Sequence, residues 1–366
     1  MGEGNDVERS DRAKLASLVP THLGRQPESI DSLMAGLGTR RFYRIHFASG
    51  EPSTLIARFE AEDPTPAVQG PDFWLPEPAL EPLRSFLERE GLPVTRSHAH
   101  LAESGLDLLE DVGDRTLLRT DAEERRRLYR EACEIVPALQ SLSAPAETIP
   151  AFGRVFDRKL LTTKAWKWLH WTIPGLLGRD ALDAEKSATD AAFERIAALL
   201  DEAPRRLSHR DFKAENLHLV SDPDRNVERL VMIDIQGAFL APPEYDLVCL
   251  LYDLQVDLAE DFVQNCLRET MPRLPDAPAP EISGLRFDAL ATARLCKDIS
   301  HLVHAARTRG DSRRWHEIPR GLSLLERAAG RLAHTFPEIR ALISVIPALT
   351  AAIGSSDSPS ERGRGE

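Results

Sequence analysis

The run Ser208-His209-Arg210-Asp211-Phe212-Lys213-Ala214-Glu215-Asn216 sets a carboxylate and, five positions on, a carboxamide just before the apolar residues 217–220. Soon after comes Leu230-Val231-Met232-Ile233-Asp234-Ile235-Gln236, an apolar strand pattern ending on a second carboxylate. The two runs read as the arms of a short hairpin. Phosphoryl transfer asks for such a set. One carboxylate must orient an attacking hydroxyl or take its proton, while an oxygen ligand and a further carboxylate hold Mg²⁺ against a triphosphate. Asp211 suits the first role, and Asn216 and Asp234 the second. Mg²⁺ prefers hard oxygens and keeps several waters, so two protein ligands suffice beside phosphate oxygens. His209 and Arg210 are read as supports that hold Asp211 in place. A chance His-Arg-Asp in a loop is the bland alternative, but the compound pattern is much rarer than the tripeptide.

The spacing from His209-Arg210-Asp211 to Asn216 resembles the catalytic loop of protein kinases and of the aminoglycoside phosphotransferase and choline kinase-like family. The residues beyond this loop separate the two groups. In place of D-F-G and A-P-E the chain has Ile233-Asp234-Ile235-Gln236-Gly237-Ala238 and Pro242-Pro243-Glu244-Tyr245-Asp246-Leu247-Val248. That is similar to the small-molecule branch. The Gln236-Gly237-Ala238 and Tyr245-Asp246-Leu247-Val248 details look closest to bacterial kinases of the anomeric hydroxyl of N-acetylmuramate or N-acetylglucosamine.

The resemblance implies a protein-kinase-like α+β fold of two lobes, ATP and Mg²⁺ as cofactors, and a small hydroxyl-bearing acceptor. Lys213 stands where many protein kinases keep a lysine that reaches the transferring phosphate, a position that many sugar and aminoglycoside kinases fill otherwise, and the resemblance implies that Asp246 anchors the catalytic-loop backbone. It also implies that backbone groups near Glu110 and Val112 pair with adenine at a hinge. Arg58 stands where protein kinases keep a phosphate-binding lysine, and of Glu77 and Glu81 the latter is the favoured partner glutamate. Arginine's planar fork sets a different phosphate geometry from lysine's point charge. Gly38, ahead of the first strand, could let a loop approach phosphates, with Arg40 or Arg41 adding a contact. Neither fold nor loop fixes the acceptor. An aminoglycoside, choline or another small alcohol stays open beside a sugar. So does a nucleotide-binding module that has lost transfer, which the absent lysine and Gly237 favour.

The elements that must position these groups emerge from pattern. Phe42, Arg44 and His46 alternate with Tyr43, Ile45 and Phe47, as in a strand; Gly50 marks a turn and residues 54–59 the returning strand. A helix is expected over 11–23 after a loose start, and another over 75–89, irregular at first because of Pro78 and Pro82. Thr120-Asp121-Ala122-Glu123 fits a capping box, with Leu128, Ala132, Ile135, Val136, Leu139 and Leu142 then on one face. Residues 181–203, 247–254, 257–270, 282–307, 322–332 and 339–353 read as further helices. Trp166, Trp168 and Trp171, interleaved with Lys164, Lys167 and His170, form either a sugar-stacking platform or interhelix packing. His301 and His304 share a helix face, lining a cleft or solvated. The expected organisation is a partly helical extension (1–24), a small lobe with nucleotide-binding strands and hinge (25–112), a helical lobe with the catalytic loop (113–353) and a disordered tail (354–366).

Of the 366 residues 42% are hydrophobic, enough for one large two-lobed unit. No run approaches the roughly 18 to 20 apolar residues of a membrane span, and the polar N-terminus is no secretory signal. Cys133, Cys249, Cys266 and Cys296 form no C-x-x-C and fit apolar packers in a reducing cytoplasm. A net charge of −12 argues against a nucleic-acid partner. It leaves open a cationic acceptor or a plainly soluble surface. No obligate protein partner is expected.

Overall fold

A computed structural model describes residues 3–33, 40–60, 78–222, 227–276 and 279–355. In chain order the first elements are α1 (Glu3–Leu23), β1 (Ser29–Leu33), β2 (Arg41–His46), β3 (Thr54–Phe59), α2 (Leu83–Arg89), β4 (Ser97–Leu101) and β5 (Leu106–Glu110). Next are α3 (Ala122–Gln140), α4 (Arg158–Lys167), α5 (Ile173–Leu177), α6 (Asp183–Asp201), β6 (Arg206–Ser208), β7 (Leu217–Asp222), β8 (Val227–Met232) and β9 (Phe239–Ala241). The chain ends with α7 (Tyr245–Leu251), α8 (Glu260–Thr270), α9 (Pro280–Arg309), α10 (Ile318–Thr335), α11 (Ile339–Ile343) and α12 (Ile346–Ser355). Strands that pair antiparallel in every described sheet, beside many helices, make this α+β. The chain divides into two compact units, one holding 1–68, 76–120 and 216–236, the other 69–75, 121–215 and 237–366.

The first unit is built on an antiparallel sheet in the order β1-β2-β3-β5-β4. Alternation explains it: Tyr43, Ile45, Leu55, Ala57, Phe59, Leu106 and Leu108 turn to one core, and Leu15 and Val19 of α1 join them. Helix α1 begins at Glu3, well before the expected start, and is tied to the sheet where Asp11 accepts from Arg41 Nε (2.5 Å) and the Tyr43 hydroxyl (2.9 Å). Helix α2 is shorter than expected. It starts only after Pro82, and Pro78 precedes any helical turn. Strands β7 and β8 form the expected hairpin, with Leu217 opposite Met232. That hairpin was expected within the helical part. It packs instead in the sheet unit, because Met232 N–H donates to Pro93 O (2.7 Å) and Leu219 N–H to Arg115 O (2.8 Å).

The second unit is mainly helical. The N-cap of α3 is Asp121, not Thr120: its carboxylate accepts from the N–H groups of Glu123 and Glu124, while the Thr120 hydroxyl turns back to Leu117 O. The helix expected over 339–353 is two, α11 and α12, broken ahead of Pro347, which lacks an N–H and disfavours helical geometry before it. A π-helical turn, Trp168–Thr172, links α4 to α5. Trp168 there is wholly buried, so of the two readings for this tryptophan packing holds. Helix α9, thirty residues long, is buried over most of its middle. Gly175 lies so close to it that an added Cβ would overlap Val303 Cγ1. All four cysteines are buried and free. Among the described residues no helix is long and apolar enough to cross a membrane.

This packing has two measurable consequences. Gly175→Ala must push α5 off α9 and should lower unfolding stability by about 1–3 kcal/mol, measurable by urea titration. Glu244 is wholly buried, and neither carboxyl oxygen has a hydrogen-bond partner among the described residues. Burial pushes it up to about 7, with the Arg286 charge offsetting a part. The folded state therefore holds this proton to higher pH than the unfolded chain does. Stability from this group is fully present below the ordinary glutamate range and is lost as pH rises to about 7. Glu244→Gln should abolish that loss, adding up to about 3 kcal/mol at pH 8 and little at pH 4.5. Equal effects at both pH values would contradict it.

Candidate active site

In the helical unit, β6 pairs with β9 and delivers the chain into the loop that carries Asp211. Asp246, at the start of α7, accepts the N–H groups of His209 (2.7 Å) and Arg210 (3.1 Å). Arg210 is left-handed, at φ 81°, an unusual state for a side-chain-bearing residue. Its carbonyl accepts from Arg294 Nη1 of α9 (3.1 Å) and from the Cys249 thiol (3.2 Å). One turn on, Asp253 accepts the Ala214 N–H at 3.1 Å. The loop is thus held from α7, α9 and the segment between them.

Asp211 keeps 27% of its side chain exposed and meets Arg294 Nη2 at 3.3 Å. Burial alone would raise its pKa, but Lys297, Arg294, Arg210 and Lys213 hold it well below the usual carboxylate range. It is therefore an ionised hydrogen-bond acceptor able to orient a hydroxyl, rather than a strong base. Lys213 ion-pairs with Glu215; burial works against its charge, but Glu215 and Asp211 keep it protonated. Arg294 had no motif to mark it, since it lies on a helix far along the chain. The spacing of Arg294, Lys297 and His301 at successive helical turns was the available signal.

In the sheet unit, Asn216 directly precedes β7 and Asp234 comes after β8. The Ile233 N–H donates to Asn216 O (3.0 Å), extending the ladder, so both residues leave the same end of one hairpin. Asp234 is exposed and left-handed at φ 60°, with Gln236 Nε2 donating to its Oδ1 at 2.6 Å. A carboxamide oxygen and a carboxylate are hard donors that fit Mg²⁺. Among the described residues no group of three or more His, Cys, Asp or Glu forms a metal cage.

Arg58 on β3 is buried opposite Asp107 of β5. Its Nη1 donates to Asp107 (2.8 Å) and Glu60 (2.6 Å), while Nη2 is buried without a partner among the described residues. That orphaned donor fits an anionic group. Glu81, the expected partner of Arg58, instead pairs with Arg84. Arg41 is engaged by Asp11. Glu110 accepts from Arg229 (2.7 Å) and donates its own N–H to Arg96 O (2.9 Å), and Val112 is buried beyond it. Gly38 lies outside the described residues.

The tryptophan segment and α9 meet within the helical unit. Trp171 stacks on His304 (4.2 Å between ring centroids) and stands edge-on to His301 (5.5 Å). The two histidines, expected to line a cleft or lie solvated, also pack against this aromatic ring.

Residues 50–278 match the phosphotransferase enzyme family (APH), and the chain belongs to it. It is a small-molecule kinase with the protein-kinase-like fold of that family. It is 25% identical over 252 residues to the N-acetylmuramate/N-acetylglucosamine kinase of Neisseria meningitidis serogroup B, which covers 66% of this chain and 72% of that protein. Among solved structures it is similar to the choline kinase LicA from Streptococcus pneumoniae, with a TM-score of 0.57, 16% identity and coverage of 90% and 99%. It is also similar to an aminoglycoside phosphotransferase, APH(2")-IIa, in its gentamicin complex, with a TM-score of 0.53, 16% identity and coverage of 86% and 95%.

The buried Asp246 carboxylate gives a test of loop positioning. Burial pushes it up to about 6, against the opposing pull of His209 and the two N–H groups. As pH falls through about 6 it takes up a proton and accepts those bonds less well, so kcat should drop there. Asp246→Asn should lower the plateau about 10- to 100-fold and remove that acid limb from a pH–rate profile. An unchanged limb would assign it elsewhere.

Proposed function

We propose that the protein transfers the γ-phosphate of ATP, with Mg²⁺, to a hydroxyl of a sugar or amino sugar, the anomeric hydroxyl of an N-acetylhexosamine being the leading candidate. The observation that carries this reading is Asp211: an ionised, partly open carboxylate on a loop fixed by Asp246 and Arg294. The sugar rests on the sugar-kinase relative and on the Gln236-Gly237-Ala238 and Tyr245-Asp246-Leu247-Val248 runs.

Asp211 accepts the hydrogen bond of the acceptor hydroxyl and aims its oxygen. Lys213 meets the phosphoryl group as charge shifts toward the leaving oxygen. Asn216 and Asp234 would hold Mg²⁺, which when bound neutralises phosphate charge. Gln236 fixes the Asp234 carboxylate through its donated bond. Arg58, through its remaining donor, steadies phosphate oxygens, and Val112 borders the adenine. His209 and Arg210 act through the loop backbone. Because this chemistry rests on positioning and charge stabilisation, losing one of these groups is felt mainly in kcat.

The expected outcome is an ATP-dependent phosphorylated product, seen by mass spectrometry from a mixed panel of sugars, aminoglycosides and choline. Asp211→Ala and Asp234→Ala should each cut kcat by about 10³-fold or more, and chelation of Mg²⁺ should stop turnover. Full activity in either variant would reject the assigned residues. Mg²⁺-dependent ATP binding without any product would favour a module that has lost transfer.

A further inference from the structure

Helix α4 and the middle of α9 gather more charge than the positioning of Asp211 uses. Lys164 and Lys167 stand one turn apart on α4, and Arg294, Lys297 and His301 occupy successive turns of α9. Lys164 is only 4% exposed and Lys167 only 7%. The Lys164 ammonium has no hydrogen-bond or ion-pair partner among the described residues; its nearest ring is Phe156, at 5.9 Å. Lys167 Nζ donates to His301 Nε2 at 3.0 Å, an uncharged acceptor. Asp298 answers Lys297 (2.9 Å) and Arg294 (3.2 Å), and Asp211 answers Arg294. Lys164, Lys167, Lys297 and Arg294 are thus gathered beside Asp298 and Asp211, in a chain whose net charge is −12.

An ammonium withdrawn from water without an anion is poorly stabilised. Burial and the neighbouring Lys297 and Arg294 charges push Lys164 well below the usual lysine range, and burial with Lys297 and Arg210 brings Lys167 down to about 8. Burial and the same lysines hold His301 neutral. Each strain is relieved by one arriving negative charge. The cluster flanks Asp211, the group that meets the acceptor, through Arg294 and Lys297.

We propose that the face formed by Lys164, Lys167, Lys297 and His301 beside Asp211 is an acceptor subsite for an anionic group, a carboxylate or a phosphate borne by the sugar itself. This rests on the kinase reading above and narrows its substrate class. It sets acidic sugars above neutral ones and turns away cationic acceptors, which would face like charge.

The test uses the full chain and isothermal titration without nucleotide, with N-acetylglucosamine, its 6-phosphate, N-acetylmuramate and choline as probes. One of the two acids should bind at least about tenfold tighter than N-acetylglucosamine, and which acid does so tells carboxylate from phosphate. Lys164→Met and Lys297→Met should erase that preference, and Lys164→Arg should retain part of it. Should Lys164→Met fail to fold, Lys297→Met, with 24% of its side chain exposed, carries the comparison. Acids that bind no better than the neutral sugar overturn the proposal. So do lysine variants that weaken all probes alike, or that raise only the KM for ATP. Lysine-dependent binding of an acid with no phosphoryl transfer to any acceptor would uphold the subsite and remove the kinase reading. Transfer to N-acetylglucosamine with no preference for either acid would do the reverse.

Discussion

A carboxylate drawn out of water tends to take up a proton, and Asp211 resists because cations are built around it. Lys297 contributes most to this, and Arg294 makes the direct contact. Its guanidinium holds Asp211 with one nitrogen and the Arg210 carbonyl with another, and lies 5.9 Å from the Tyr245 ring. Tyr245 opens α7, the same helix that supplies Asp246 to the loop N–H groups and Cys249 to the Arg210 carbonyl. Loop, α7 and α9 are thereby one electrostatic unit. The position of Asp211 depends on how α9 packs, which is why small residues such as Gly321 allow its neighbour α10 to approach Ile299 so closely.

Backbone strain falls at the residues that chemistry singles out. Arg210 and Asp234 are two of the three described residues other than glycine with positive φ, and each such state costs about 1–3 kcal/mol. At Arg210 the strain is held from both sides, since Asp246 takes its N–H and Arg294 its carbonyl. At Asp234 the clamp is local: Gln236 sits two residues on and donates to the carboxylate. The left-handed turn after β8 lets the chain leave the ladder while Asp234 stays beside the end that Asn216 begins.

Much of this architecture is legible in the residues alone. Strands β2 and β3 are dictated by alternation, because one buried face demands period two. The hairpin is marked by two apolar runs flanked by Asn216 and Asp234. Failures came where two local readings compete or where contacts are remote. Thr120 and Asp121 can both cap a helix; the carboxylate, which accepts two N–H bonds at once, won. The unit to which the hairpin belongs depends on Pro93 and Arg115, more than a hundred residues upstream. The partner of Arg58 was sought on a helix by analogy, yet Asp107 stood directly across the ladder, a pairing that only strand register reveals. The burial of Lys164 and Lys167 could not be read at all. Lysines among tryptophans look like the solvated edge of a packing face until the neighbouring helix is known.

The net charge of the chain and the charge around Asp211 point in opposite directions, and physics decides between them. Surface charges act through water and salt, where their reach is about 8–10 Å. They bias encounter and keep the protein in solution, but they discriminate little between acceptors already at the site. Buried ammonium groups act at contact with weak screening, so a mismatch there is felt in full. With the proposed subsite, the loop can stay constant while the lining chooses the acceptor, because the two come from different elements: α7 pins the loop, and α4 with the middle of α9 would make the lining. A fold shared with kinases of cationic substrates does not carry their preference over. The proposed subsite puts that preference in Lys164, Lys167 and Lys297, on α4 and α9.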